Sequence, residues 1–567
     1  MNPTAQIVVL DAGGQYTHLE ARKVRELGVY AEVRASETPA AALAAVKGIV
    51  ISGGPGSVYD AGSPTVDPHI FTLGVPVLGI CYGQQLMAHL LGGQVCQGVK
   101  GEYGLANLEL DHSADPMFAG LAGPQQIWMS HRDVVGAVPE GFSVIGRTDT
   151  CAVAAIAAPA RKLYGVQFHP EVAHTVRGKE YLANFVFGVC GARKDWDPRH
   201  RIPVIESEIR ECVGERSVFF FVSGGVDSSV AFALCTRALG GGRVRGVYVD
   251  TGLMREGETD FVRRMPGIAV EDAQQQFLSA LAGVTDPEQK RHIIGEEFVR
   301  VQERIIESRR LMDEHWILGQ GTIYPDTIES GGTAKAALIK THHNRVAGIQ
   351  KLIEAGRIVE PLKSLYKDEV REVGGELGLP GELLHRHPFP GPGLAIRCLC
   401  SEFEAPLRAT EDGFIIPVHS VGVQGDSRSY APVLAIDHVD HARATELINR
   451  LSGVNRVVSP AATKVPLGEM QVRACSLTAA RLALVRRADA IVRRLSHAGG
   501  YDHRVWQFPV ILIPLGTPQA PESVVLRPVE SVDGMTAQSA RMDADLLAAI
   551  CNELLAVEGI AGVFYDL

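Results

Sequence analysis

Val218-Phe219-Phe220-Phe221-Val222-Ser223-Gly224-Gly225-Val226-Asp227-Ser228-Ser229 is an unbroken apolar run that ends in a glycine-rich turn and passes into a helical pattern. The run predicts a strand over 218–222, a helix over 229–239 and a second strand over 244–250, with a helix over 202–213 leading in. Strand, glycine-rich turn, helix and strand make a βαβ nucleotide-binding unit, in which the turn offers backbone N–H groups and the helix dipole to phosphate. The turn lacks the Gly-Lys-Ser/Thr ending of a Walker A loop.

The N-terminal part repeats the alternation with a different turn. Short apolar strands over 6–10, 48–52 and 75–80 and a helix over 84–91 predict an α/β domain with a mainly parallel sheet. Gly79-Ile80-Cys81-Tyr82-Gly83, between a strand and a helix, has the form of a nucleophile elbow, a turn so tight that small residues must flank it. Cys81 then stands at a helix N-terminus, where amides and dipole favour the thiolate; a buried structural cysteine is the alternative. In Val166-Gln167-Phe168-His169-Pro170-Glu171 an extended backbone sets Glu171 on the same side as His169, where it fixes the tautomer and stabilises the imidazolium. Ser52-Gly53-Gly54-Pro55-Gly56, directly after a strand, offers bare N–H groups suited to an oxyanion, or else is a plain turn.

At 567 residues the chain exceeds one core and fits about three or four domains of roughly 100–200 residues. The α/β pattern ends after Phe185, and the polar stretch 191–198, punctuated by Gly191 and Pro198, reads as a linker. The expected division is 1–193, 194–394 and 395–567. The second boundary follows Arg386-His387-Pro388-Phe389-Pro390-Gly391-Pro392-Gly393, where the prolines forbid a regular element. The last part mixes strands such as 510–513 with an amphipathic helix over 479–495, an α+β composition with no long internal repeat in its sequence. A composition of 46% hydrophobic residues is globular. No signal-peptide pattern and no bilayer-length apolar run follow Met1, which predicts a cytoplasmic protein. The 10 cysteines lack CxxC pairs, so a zinc site or disulfide framework is not expected. A net charge of -10 argues against nucleic-acid binding, and Arg486-Arg487 and Arg493-Arg494 are expected on solvated helix faces.

With elbow, histidine pair and glycine loop in this order, the first domain resembles the class I glutamine amidotransferases. That resemblance implies that Cys81 forms a glutamyl thioester, His169 is the acid/base, Glu171 orients it, backbone near Gly54 and Tyr82 forms the oxyanion hole, and Gln85 helps hold glutamine. Arg132, in Ser130-His131-Arg132-Asp133, departs from the glycine usual in that family. Ser-Gly-Gly-x-Asp-Ser resembles the loop of the N-type ATP pyrophosphatases. This implies that Ser223, Gly224, Gly225, Ser228 and Ser229 grip the pyrophosphate of ATP, that Asp227 helps hold Mg²⁺ through hard oxygen ligation, and that Asp250 contacts the nucleoside, beside a Thr251 where Asn is usual. Tyr324-Pro325-Asp326-Thr327-Ile328-Glu329-Ser330 and Ile339-Lys340-Thr341-His342-His343-Asn344 read as a phosphate-facing lid. In it Lys340 neutralises charge on the α-phosphate and His342 and His343 donate to it; a solvated loop is the alternative.

The whole order of motifs, through Val421-Gly422-Val423-Gln424-Gly425-Asp426, Arg527 and Asp533-Gly534-Met535-Thr536, is similar to the glutamine-hydrolysing GMP synthetases. This implies ATP-dependent amination of xanthosine 5'-monophosphate by glutamine-derived ammonia. It further implies that Asp326 and Glu329 support the lid, that Arg291, Gln424 and Arg527 contact the acceptor, and that the C-terminal part is a homodimerisation domain in the longer, insertion-bearing form. Members of that family continue past the equivalent of Tyr565-Asp566 into a lysine-bearing closing segment, which this sequence is expected to lack. A paralogue using another purine-type nucleotide and a catalytically silent nucleotide-binding dimer are the alternatives.

Overall fold

The computed structural model describes residues 4–111, 115–329, 346–387, 389–424, 427–451, 453–530 and 538–567. They divide into two compact units, one ending at Val204 and the other running from Ile205 to Leu567. The stretches expected as the second and third domains thus lie almost wholly in one unit.

In the first unit nine strands, β1 Ile7–Asp11, β2 Ala31–Ala35, β3 Gly48–Ile51, β4 Val77–Ile80, β5 Gln94–Leu110, β6 Gln125–Ala137, β7 Ser143–Arg147, β8 Ala155–Ala158 and β9 Leu163–Val166, form one sheet in the order β2-β1-β3-β4-β9-β8-β7-β5-β6. The first five are parallel and the rest join antiparallel. β3, β4 and β9 are buried along their whole length, as strands covered on both faces must be. Pairing of Ile80 with Val166 brings the segments after β4 and β9 to the same edge of the sheet. The helix after β4 spans Tyr82–Leu90 and so starts ahead of the predicted 84, because the elbow is itself its first turn: the Gln85 amide already donates to the Cys81 carbonyl at 3.2 Å.

The second unit opens with β10 Ser217–Phe221, β11 Val244–Asp250, β12 Ile268–Asp272, β13 Trp316–Gly319 and β14 Ile358–Val359, all parallel, in the order β12-β11-β10-β13-β14. The chain order reverses between β10 and β13, and the crevice beyond the carboxyl ends of such strands is where open α/β sheets bind ligands. The helix after β10 is Val226–Leu239, three residues earlier than predicted, with Gly225 as its N-cap and Asp227 in its first turn.

A seven-stranded sheet in the same unit runs in the order Arg408–Thr410, Gly413–Gln424, Ser427–Ala435, Arg456–Thr463, Ile560–Asp566, Glu522–Leu526, Val510–Ile513. The six strands after Arg408–Thr410 are one arrangement used twice. An antiparallel pair, then a helix, His441–Arg450 or Ala544–Leu555, is followed by a third strand parallel to the second. The two copies meet through antiparallel pairing of their third strands, Ser459 opposite Tyr565. This pseudo-twofold repeat of topology escaped the sequence, in which no repeat is visible. The arginine pairs also differ from expectation at one position: Arg486 turns in and donates to the carbonyls of Gly252 at 2.6 Å and Met254 at 2.9 Å, while Arg487, Arg493 and Arg494 are exposed.

Candidate active sites and family membership

Cys81 has φ 52° and ψ -106°, a conformation that costs an L-residue about 1–3 kcal/mol and that marks a nucleophile elbow. The glycines around it are obligatory. A Cβ on Gly83 would lie 2.1 Å from the Ile51 carbonyl oxygen, and one on Gly79 would lie 2.5 Å from the Gly83 backbone. Gly53 passes close to the His169 ring, and Gly54 is packed against Tyr82, so the loop after β3 meets the elbow where the oxyanion hole was expected.

His169 Nδ1 lies 2.6 Å from Glu171 Oε1, and both side chains are buried. Burial alone would lower the imidazole pKa; the Glu171 carboxylate and the Cys81 sulfur outweigh it and hold the ring well above its ordinary value. A protonated imidazole beside a thiol is the arrangement that a thiol-histidine relay requires. Cys81 and His169, with Glu171 buried behind the imidazole, line a cavity of about 680 Å³ together with the loop 53–57, Gln85 and the segment Ser130–Asp133. The Gln85 carboxamide is engaged inside the protein, donating to the Asp133 carbonyl at 2.7 Å and to Gln167 Oε1 at 3.1 Å. Gln167 in turn donates to Cys81 Sγ at 3.6 Å, so Gln85 positions a neighbour of the nucleophile as well as lining the cavity. Arg132 is an exposed cation on that lining. With the Gln97 carboxamide oxygen turned toward it, the guanidinium donates at 2.7 Å from both Nε and NH2.

Two residues here were not anticipated. Gln167 carried no signal apart from its place between Val166 and His169. Glu20, on the helix Thr17–Glu26, is 1% exposed and takes a 3.4 Å hydrogen bond from the Gly53 amide. Burial and the nearby Glu171 carboxylate raise its pKa well above the carboxylate range. An acidic residue in a helical pattern reads as solvent-facing, and only the packed structure shows it turned toward the relay.

At the second centre Gly224 has φ +73°, which a side chain would resist, and the loop ties itself together. Ser223 Oγ and Ser228 Oγ are 3.0 Å apart, the Gly225 amide donates to Ser223 Oγ at 3.2 Å, and Ser229 is fully buried with its hydroxyl unpartnered among the described residues. Asp227 is paired with Lys367 Nζ at 2.5 Å, a cation that the sequence reading missed because it lies 140 residues away on the helix Lys367–Glu376. Asp250 accepts from the Gly252 amide at 3.0 Å and from Gln274 Nε2 at 3.1 Å. Gly321, just past β13, approaches the Asp227–Ser228 backbone so closely that a Cβ would lie 2.9 Å away. Asp326 Oδ2 accepts from the Ile323 amide at 3.1 Å on the turn leading into the helix Tyr324–Glu329, which also carries Glu329. Lys340, His342 and His343 lie outside the described residues, as do Gly425, Asp426 and the segment 533–536.

The expected acceptor contacts gather on the hairpin Gly413–Gln424 and Ser427–Ala435. Arg291 pairs with Glu288 at 3.4 Å, and Glu288 accepts from Tyr430 of the hairpin at 2.5 Å. Arg527 is ion-paired with Asp566 and donates to Ser420 Oγ at 3.2 Å, while Arg456 holds Asp566 at 3.6 Å and the Val421 carbonyl at 2.9 Å. Repulsion from Arg527, aided by burial, lowers the Arg456 pKa to about 10, the signature of two cations with one counter-ion. Gln424 ends the first strand of the hairpin, opposite Ser427.

Residues 8–189 match the family described as "Glutamine amidotransferase class-I" and residues 495–567 that described as "GMP synthase C terminal domain". The chain is 42% identical to the Leptospira interrogans protein named "Probable GMP synthase [glutamine-hydrolyzing]", over 99% of this chain and 97% of that one. It is 40% identical to the "GMP synthase [glutamine-hydrolyzing]" of Caldicellulosiruptor saccharolyticus, over the same shares of both chains. Against the protein of that name from Symbiobacterium thermophilum it is 45% identical, over 81% of this chain and 98% of the relative. With Cys81, His169 and Glu171 clustered in one unit, a serine-glycine loop in the other, and this identity to relatives along nearly the whole chain, the chain belongs to the glutamine-hydrolysing GMP synthase family.

Proposed function

We propose that this chain converts xanthosine 5'-monophosphate to GMP, hydrolysing glutamine at Cys81 and spending ATP at the loop after β10. The observation that carries the reading is that one chain holds two such sites: the buried His169–Glu171 pair behind a strained Cys81, and the Asp227–Lys367 pair at a loop of serine hydroxyls. Cys81 attacks the glutamine carboxamide carbon, His169 returns a proton to the leaving ammonia, and amides near Gly54 and Tyr82 hold the oxyanion. At the other centre the C2 oxygen of the acceptor attacks the α-phosphorus of ATP and pyrophosphate leaves; ammonia then displaces AMP at C2.

Ser223, Gly224, Gly225, Ser228 and Ser229 bind the pyrophosphate, and Asp250 the nucleoside. Asp326 and Glu329 brace the lid that bears Lys340, His342 and His343, and Arg291, Gln424 and Arg527 hold the acceptor. Asp227 offers the hard carboxylate oxygens that suit Mg²⁺, an ion usually held by one or two carboxylates and the substrate's own phosphates, where it would neutralise phosphate charge. Lys367 contacts both of those oxygens and so sets an ammonium beside the proposed pyrophosphate site. No helix among the described residues is long and apolar enough to cross a membrane, and the reaction is assigned to the cytoplasm.

The homodimer implied by the resemblance competes with a second reading that one observation favours. The repeated strand-pair, helix and strand unit joins its two copies within one chain, so a second chain is not needed to complete that sheet.

The test is product formation by the purified chain with Mg-ATP and xanthosine 5'-monophosphate, with glutamine or ammonium supplied in parallel. GMP with stoichiometric AMP and pyrophosphate from either nitrogen source is expected. Glutamine hydrolysis with no GMP from either source would transfer the assignment to a paralogue with another acceptor, and nucleotide binding without turnover to a silent protein.

A further inference from the structure

Three cysteines far apart or unremarkable in the sequence converge around two cations. Lys290, on the helix Pro287–Ser308, is 1% exposed, and its ammonium donates to Cys400 Sγ and to the Cys398 carbonyl, each at 3.0 Å. Arg481 is also buried; its NH1 donates to Cys400 Sγ at 3.3 Å, while Nε and NH2 are taken by Glu522 at 2.5 and 2.8 Å. Glu522 thus serves Arg481, and Lys290 makes no pair with a carboxylate among the described residues. The Cys400 sulfur also lies 3.6 Å from the Cys398 carbonyl oxygen. The Lys290 and Arg481 contacts suit an anion at Cys400, and a buried ammonium next to a neutral thiol would be an uncompensated charge. The contacts from Cys398, then Cys475, Lys290 and Arg481 hold the Cys400 thiol far below its ordinary range, and Cys398 and Cys475 are pushed up. The two cations make the cluster hostile to a metal ion despite its three sulfurs.

We propose that Cys400 is a standing thiolate that reacts with hydroperoxides, with Cys475 as its resolving thiol. The Cys400 sulfur attacks one peroxide oxygen: an S–O bond forms as the O–O bond breaks, the departing alkoxide or hydroxide takes a proton, and sulfur loses two electrons to become a sulfenic acid. Cys475 then attacks that sulfur. An S–S bond forms, the S–O bond breaks, and hydroxide leaves with the Cys475 proton as water. Cys475 is the resolving partner because it is partly exposed, and because Ser401 and Cys475 exchange backbone hydrogen bonds of 3.3 and 2.8 Å that hold residues 400 and 475 at adjacent positions. Cys398 is fully buried and only two residues along the same strand of chain, a span in which a disulfide is strained. Oxidation removes the charge that faces Lys290, so the oxidised protein is less stable.

The experiment uses the full native chain, with Cys96 and Cys212, both exposed, as internal ordinary thiols. Brief treatment with limiting hydrogen peroxide followed by peptide mass mapping is expected to give a Cys400–Cys475 cross-link, reversed by dithiothreitol, with Cys96 and Cys212 unchanged. In Cys475→Ser the same dose is expected to give a dimedone adduct at Cys400. Alkylation at pH 6 is expected to be at least tenfold faster at Cys400 than at those two thiols. Equal or slower modification of Cys400, together with no thiolate ultraviolet absorbance lost in Cys400→Ser at that pH, would overturn the proposal. Oxidation at Cys400 without the cross-link would overturn the role of Cys475.

Discussion

The Glu171 carboxylate is what keeps a proton on a buried imidazole, and removing it has two separable consequences. In Glu171→Gln the partner at 2.6 Å loses its charge, and glutamine hydrolysis is expected to fall roughly 10³- to 10⁴-fold, the scale seen when a relay carboxylate becomes an amide. The second consequence is in stability. The folded His169 pKa is raised above its ordinary 6.5, so the imidazolium contributes stability that is complete below that value and lost as pH rises through the folded one. Thermal melts of the wild type are therefore expected to weaken on the alkaline side, and those of Glu171→Gln to lose much of that slope. An unchanged slope would mean that another group is titrating. Lys367 invites a parallel test. In Lys367→Met the loop loses the ammonium that stands beside Asp227 and the proposed pyrophosphate site, and the KM for ATP is expected to rise on the order of tenfold or more, since hydrogen bonds to charged groups contribute about 1.5–3 kcal/mol. Glutamine hydrolysis measured alone serves as the folding control.

Elements matter here for the residues that they force into unusual backbone. The turn between β4 and the helix Tyr82–Leu90 exists only because Gly79 and Gly83 let it pass against itself and against β3. Gly83→Ala, with its methyl 2.1 Å from the Ile51 oxygen, is expected to lower unit stability by about 1–3 kcal/mol or more and to abolish thioester formation, read by calorimetry and by trapping of the acyl-enzyme. That elbow was legible in the sequence because glycine spacing and flanking apolar runs are local signals. So were β10, the serine-glycine loop and the i, i+2 placement of His169 and Glu171. What was not legible depends on packing between distant segments: Lys367 beside Asp227, Glu20 turned toward the relay, Arg486 clamping the loop after β11, and Cys398, Cys400 and Cys475 around Lys290. The helix starts at Tyr82 and Val226 were misplaced for one shared reason. In both, the glycine-rich turn already supplies the first helical hydrogen bonds, which hydrophobic periodicity cannot register.

Over the whole chain, the doubled arrangement in the seven-stranded sheet bears on the proposed assembly. Strand order and pairing direction are the same in both copies while the residues differ, so the repeat is one of topology, driven by which strands can bury their apolar faces together. Light scattering of the purified chain is expected to give the mass of one 61.0 kDa chain, and twice that mass would restore the homodimer. The account's central claim is that one chain carries an ammonia-producing centre and an ammonia-using one that can be uncoupled. Its most direct test is Cys81→Ala assayed for GMP with each nitrogen source. The account predicts that glutamine no longer supports GMP formation while ammonium supports it at close to the wild-type rate; continued synthesis from glutamine, or loss of synthesis from both sources in a folded protein, would contradict it.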